Sequence, residues 1–343
     1  MNSMATRPPA ERAEIFRETG ARRGLPAPLV EKDFWVCWTL RQLFTIPAFH
    51  GHIVFKGGTS LSKVFGAIQR FSEDIDLIID YEMLGFAGAR HPSRCTSKSK
   101  RTALLAEMLR ACTTYIEGPF LQELGGRFTE LLGANGWQLR TRRSTDGSAV
   151  IEFDYPTAVV ERLGYVQPFV LLEPGTHAEF IPKGTYSIKP FAAEEFPTLF
   201  VEASTELEAI TAERTFWEKA TILHAEYHRP ADKRIAGRHS RHYYDLAMLA
   251  GTNIKARAIG DAELRERVVK HKMEFYPSAW ARYDLARPGT LRLVPPDDRV
   301  PDLRRDYQSM AVMIFGETPP LEDLLGRLAK LEAEFNAVGP AKR

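Results

Sequence analysis

The chain has 343 residues, of which 44% are hydrophobic and 26% charged, with a formal net charge of +2. That is the balance of a globular protein, and the length exceeds what one compact core usually holds. Near-neutrality excludes neither a nucleic-acid partner nor a small one, because a basic face can sit within a balanced total. The cysteines Cys37, Cys95 and Cys112 follow no CxxC or Cys/His ligand spacing, which argues against a disulfide framework and a structural zinc site.

The N-terminal "MNSMATRPPAERAE" lacks an apolar signal core, and no apolar run approaches the ~20 residues that cross a bilayer. A cytoplasmic protein with no membrane partner is therefore expected. The first ~50 residues predict helices, the second of them, "APLVEKDFWVCWTLRQLFTI", with a packed face through Val30, Phe34, Cys37, Trp38 and Leu40 to Leu43. "HIVF" predicts a short strand, "GGTSLSKVFGAI" a turn into a helix, and "DIDLIID" a second strand. Residues 82–101 are polar and read as a loop, followed by a helix over "KRTALLAEMLRACTTYIEGPFLQEL". Alternation on either side of "STDGS" within 137–155 predicts a hairpin, and "QPFVLLEPG" another strand. "STELEAITAERTFWEKATILHAEYHR" then predicts one long helix capped by Ser204 or Thr205, and helices follow to the end. The expected organisation is α+β: N-terminal helices (1–50) on a core of 51–195, then a mostly helical 196–343. His224, His228, His239 and His242 match no zinc spacing and read as surface or substrate-facing residues.

Alternate strand residues share a face, so Asp74 and Asp76 project together while Ile75, Leu77 and Ile79 line the opposite side. Two carboxylates this close repel unless a cation joins them. Hard oxygen donors suit Mg²⁺ or Mn²⁺, which complete their shells with phosphate oxygens. Some 16 residues upstream, "GGTS" ends a strand and opens a helix. There the backbone amides of Gly57, Gly58 and Thr59 can meet an anion, Thr59 and Ser60 add hydroxyls, and Lys56 and Lys63 add charge. Ser72 lies two residues before Asp74 and is a further candidate phosphate donor. No GxxxxGK[ST] loop is present.

"GGTSLSKVFGAIQRFSEDIDLII" resembles the signature of the polymerase-β-like nucleotidyltransferase superfamily, and more narrowly the AbiEii-type toxins of abortive-infection and toxin–antitoxin systems. "VEKDFWV", "ERTFWEKATILHAEYHR", "RHYYDLAML" and "GTLRLVPPDDRV…LRRDYQSMAVMIFG" are similar to that family's other segments, in order. The resemblance implies a polymerase-β-like nucleotidyltransferase domain with a mixed sheet, and a helical half that completes the active site. It implies that Lys219 contacts the triphosphate of an incoming NTP, and that Asp245 organises Lys219 or the nucleotide. From the residues alone, Asp245 could equally pair with Arg241 along one helix. Such enzymes use a third carboxylate as base or metal ligand, for which Glu173 is favoured over Asp154.

Basic residues cluster at Arg90, Arg94, Lys98, Lys100 and Arg101, and again in "HRPADKRIAGRHSRH". Beside a nucleotidyl site these fit an RNA backbone. The expected activity is transfer of NMP from an NTP to RNA, the tRNA 3′ end first. The expected role is that of an antiviral or growth-inhibiting toxin with a cognate antitoxin protein. The same site acting on a protein or small molecule, and a non-catalytic binding module, are the alternatives.

Overall fold

Branched and aromatic side chains at alternate positions build seven strands: β1 (Ile53–Lys56), β2 (Asp74–Ile79), β3 (Gln138–Arg143), β4 (Ala149–Asp154), β5 (Val170–Gly175), β6 (Lys183–Ile188) and β7 (Thr205–Ile210). The computed structural model describes residues 1–337 except Arg162, Gly164, Tyr165, Val166, Ile235 and Ala236. It divides into two units, Met1–Val64 with Ser72–Ile210, and Phe65–Phe71 with Thr211–Arg343.

In the first unit the strands form one mixed sheet in the order β3-β4-β5-β2-β1-β7-β6. β2 lies antiparallel to β1 and parallel to β5, and β1 lies parallel to β7. One face is apolar: Ile53, Phe55, Ile75, Leu77, Ile79, Ile151, Phe153, Val170 and Leu172 join a single core. The helix Ala27–Thr45 covers that face. Trp35 and Trp38 of this helix lie 5.9 Å from the Phe153 ring, and Phe128 packs at 4.6 Å from the same ring. The opposite face carries Asp74, Asp76 and a small apolar group of Val54, Ile78, Ala178 and Ile210.

Several elements differ from the sequence-based expectation: strand β6 lies where none was expected, and the helix Lys98–Tyr115 begins inside the 82–101 stretch read as a loop. The packed face expected of the second helix is a helix buried nearly all round, charged residues included. The single long helix expected from Ser204 is strand β7 followed by the helix Ala212–Tyr227. Thr211 caps that helix by accepting from the Arg214 amide, in place of Ser204 or Thr205. "TELEAI" alternates with period two, and pairing with β6 satisfies its backbone. The first unit thus extends to Ile210, beyond the boundary drawn near residue 195.

The second unit is mostly helical, with Trp217, Leu223, Leu246, Leu249, Val268, Leu324 and Leu328 in its interior. Residues 65–71 pair there through the Arg70–Ile314 bridge, with the Phe71 amide donating to the Met313 carbonyl at 2.6 Å.

Candidate active site

Register places the candidate carboxylates. Asp76 pairs with Lys56 across the antiparallel β1 and with Glu173 across the parallel β5, while Asp74 pairs with Leu171. Directly paired residues share a face, so Glu173 lies beside Asp76 on the side of the sheet that carries Asp74. Asp154 belongs to β4, one strand further out, and its carboxylate is held by Arg140 at 2.9 Å.

β1 ends by turning at Gly57, whose φ of +85° is a conformation other residues rarely adopt. The turn opens the helix Gly57–Lys63. A Cβ on Gly57 would stand 1.9 Å from Oδ2 of Asp76, so this carboxylate rests on the bare α-carbon of the turn. The Thr59 hydroxyl donates to the Asp74 carbonyl at 2.5 Å and lies 3.0 Å from the Ser72 hydroxyl. Turn and strand are thereby fastened to each other at two points.

Several side chains expected to face a phosphate turn inward. Thr59 and Ser60 are fully buried, and Ser60 donates to the Gly57 carbonyl at 2.9 Å. Lys63 forms a buried ion pair with Asp33 at 2.7 Å and lies over the Phe191 ring at 4.0 Å. These three shape the turn. The first backbone amides of the helix have no partner within the helix itself. Among the described residues, no group of three or more His, Cys, Asp and Glu is arranged to hold a metal ion. Magnesium is ordinarily held by one or two carboxylates plus substrate phosphates, a donor set that the Asp74–Asp76 pair fits.

The second unit gathers a buried charged triad. Arg70 grips Asp245 with both arms of its guanidinium, at 2.7 and 2.9 Å, and Lys219 meets the same carboxylate at 2.7 Å. Asp245 is 0% exposed, so a lone charge there would be costly. Burial by itself would raise the Asp245 carboxyl, but Arg70 and Lys219 reverse that and hold it at about 2. Burial, and then the nearby Arg70 and Arg241, lower the Lys219 ammonium despite Asp245. Asp245 is thus organised by Arg70 and Lys219 rather than by a helical pair with Arg241, and the triad carries one net positive charge.

Of the four histidines, His228, His239 and His242 are partly buried and His224 is fully so. Nε2 of His224 donates to the Arg282 carbonyl at 2.9 Å, and its Nδ1 accepts from the Arg292 amide at 3.1 Å. In the first basic cluster, Arg90 pairs with Glu107 and Arg101 donates to the Pro92 and Cys95 carbonyls, while Arg94, Lys98 and Lys100 are exposed. In the second, Arg229 pairs with Glu226 at 2.6 Å, Lys233, Arg234 and Arg238 are exposed, and Ile235 and Ala236 lie outside the described residues.

Sequence reasoning missed Arg70, Lys32, Asp33 and Glu73. Three consecutive charges inside the apolar "LVEKDFWVCW" were the available signal for Lys32 and Asp33. For Arg70 there was none, since its partner lies 175 residues away.

Among solved structures, the chain is similar to MenT4, a nucleotidyltransferase toxin from Mycobacterium tuberculosis H37Rv, at 17% identity and a TM-score of 0.53. The likeness covers 96% of this chain and 90% of that one, and at this identity it shows a shared fold. No curated protein matches the chain. The family model described as "Nucleotidyl transferase AbiEii toxin, Type IV TA system" matches residues 38–331. That span holds the Gly57 turn, the β2 carboxylates and the Lys219–Asp245 pair, and the chain belongs to the AbiEii nucleotidyltransferase toxins of type IV toxin–antitoxin systems.

Proposed function

We propose that this nucleotidyltransferase toxin uses Asp74 and Asp76 to hold Mg²⁺ or Mn²⁺ and transfers NMP from an NTP to RNA, the tRNA 3′ end being the favoured acceptor. The observation that carries this reading is the seat of the Asp76 carboxylate on Gly57, which brings a metal-binding oxygen to the amides of the phosphate turn. The bound cation would supply charge neutralisation for the triphosphate.

The residues divide the remaining work. Amides of Gly57 and Gly58, with the Ser72 hydroxyl, bind phosphate oxygens. Lys219 neutralises charge on the leaving pyrophosphate, and Asp245 fixes its ammonium. The acceptor hydroxyl attacks the α-phosphorus, the bond to the β-phosphate oxygen breaks, and pyrophosphate leaves. Glu173, paired with Asp76 across the sheet, is positioned to accept the hydroxyl proton. Exposed Arg94, exposed Lys98 and Lys100 in the first turn of the helix Lys98–Tyr115, and exposed Lys233, Arg234 and Arg238 of the second cluster support a polyanionic acceptor.

The test is incubation of the protein and its Asp76→Ala variant with total tRNA, Mg²⁺ and each α-labelled NTP in turn. Label in tRNA from the wild type alone supports the reading and identifies the base. Label in no RNA with any NTP sinks the RNA-acceptor reading and favours a protein or small-molecule target. Equal label from the variant sinks the site.

A further inference from the structure

Lys32 and Asp33 are consecutive residues on the helix Ala27–Thr45, 1% and 3% exposed in the middle of the core. Neighbouring helix positions point about 100° apart, so the two grip different elements. The Lys32 ammonium meets Glu73 at 2.5 Å and donates to the Gln167 carbonyl at 2.9 Å. Glu73 immediately precedes Asp74, and Gln167 lies three residues before β5, the strand of Glu173. Asp33 takes the opposite direction. One of its oxygens pairs with Lys63, the last residue of the helix that Gly57 opens, at 2.7 Å, and the other accepts from the Phe191 amide at 2.7 Å.

One helix therefore holds both halves of the candidate site through two buried ion pairs of reversed polarity. Stability does not account for them, because well-packed apolar residues of similar volume serve a core as well as or better than a buried pair. What an ion pair adds is a fixed distance and direction. The site needs that: Asp76 already sits on Gly57, and the Thr59 bond to the Asp74 carbonyl is 2.5 Å long. A slide of about 1 Å between turn and strand would break that bond or drive Asp76 into the turn, and displacements of that size cost about 100-fold in rate.

We infer that Lys32 and Asp33 are positioning residues of this nucleotidyltransferase, holding the Gly57 turn and the Asp74–Asp76 strand at the spacing that the metal-bound triphosphate requires. The inference rests on the nucleotidyl-transfer reading of the site. The opposite signs matter, since Lys32 acts on the acidic start of β2 and Asp33 on the basic end of the turn helix, so neither can take the other's partner.

Single substitutions would strand a buried charge and unfold the protein, so the test uses paired ones in the full chain: Lys32→Met with Glu73→Leu, and Asp33→Asn with Lys63→Met. Three quantities are read: the melting transition, Mg²⁺-dependent binding of a fluorescent NTP analogue, and kcat and KM for nucleotide transfer to tRNA. The expected result is a cooperative melt at or above the wild-type temperature, tenfold or greater loss of Mg²⁺-dependent analogue affinity, and kcat lowered about 100-fold. Double variants that melt like the wild type, bind the analogue equally and turn over at the wild-type rate overturn the inference. Variants that fail to melt cooperatively overturn it as well, because the pairs are then structural. If the wild type transfers no nucleotide, the nucleotidyl-transfer reading fails on its own account, and the binding arm still decides whether the two pairs set the geometry of the metal–nucleotide site.

Discussion

The carboxylate of Asp76 occupies the space that a side chain at position 57 would need, with Oδ2 only 1.9 Å from an ideal Cβ. Gly57 is required twice over, by this contact and by a φ of +85°. Gly57→Ala is expected to cost about 1–2 kcal/mol of stability from backbone strain. Asp76 would also be pushed from its seat, lowering nucleotide transfer by about 100-fold or more. Urea unfolding and a transfer assay on the same preparation measure both. A variant with normal turnover would show that Asp76 need not lie against the turn.

Two substitutions in the Arg70–Asp245–Lys219 triad tell a structural charge from the proposed functional one. Asp245→Asn leaves two buried cations facing each other without their anion, and is expected to destabilise the second unit by about 3–5 kcal/mol. Lys219→Met keeps the two-armed Arg70 grip on Asp245. It should therefore cost no more than about 1–2 kcal/mol, while transfer falls about 100-fold or more through loss of pyrophosphate neutralisation. Denaturant midpoints and kcat for the two variants give the comparison. Equal destabilisation by both would mean that Lys219 is chiefly a partner for Asp245.

His224 makes stability depend on pH. Its two ring nitrogens are committed as one donor and one acceptor, so a second proton would face the Arg292 amide. Burial lowers its pKa from 6.5 to about 4. Unfolded chains take up this proton as pH falls below 6.5 while the folded state resists until about 4, so stability declines across that window. A shift of this size corresponds to about 2 kcal/mol after allowance for solvent screening. Asp245 behaves as a depressed acid: its contribution is present above the unfolded value of 3.8 and is lost as pH falls towards 2. Chemical denaturation from pH 7 to 3 should show the first decline, made shallower in His224→Gln but not abolished, because burial also lowers His177, His228 and His242. A flat profile between 6.5 and 4 would contradict the assignment of a neutral His224.

How much of this was legible in the sequence follows from how local each signal is. The Gly57 turn, the Asp74–Asp76 strand and the 138–154 hairpin are encoded within a few residues by glycine, by alternation and by turn chemistry. β7 was absorbed into a predicted helix because "TELEAI" is short and runs into a strongly helical segment, and only its pairing with β6 and β1 reveals it. The inward turn of Ser60 and Lys63 was invisible for a similar reason: their partners, the Gly57 carbonyl and Asp33, are chosen by the three-dimensional path. Glu173 was favoured over Asp154 because it closes an apolar strand; its place directly across from Asp76 comes from the parallel register, which no local pattern encodes.

That register leads to the sharpest separation between two candidate acids. Glu173 is the direct cross-strand partner of Asp76 on a parallel neighbour, whereas Asp154 lies on the next strand out and is half-exposed in a pair with Arg140. Exposed pairs of that kind contribute about 0–1 kcal/mol, so Asp154→Asn should leave stability within about 0.5 kcal/mol of the wild type and turnover within about twofold. Glu173→Gln keeps the volume and removes the proton acceptor, so kcat should fall about 100-fold or more with little change in the KM for NTP. The pH–rate profile adds a second reading: loss of a base flattens the acidic limb in Glu173→Gln and leaves it intact in Asp154→Asn. Reversal of the two variants' behaviour would place the third carboxylate on β4 and require the acceptor hydroxyl to approach from the outer strands.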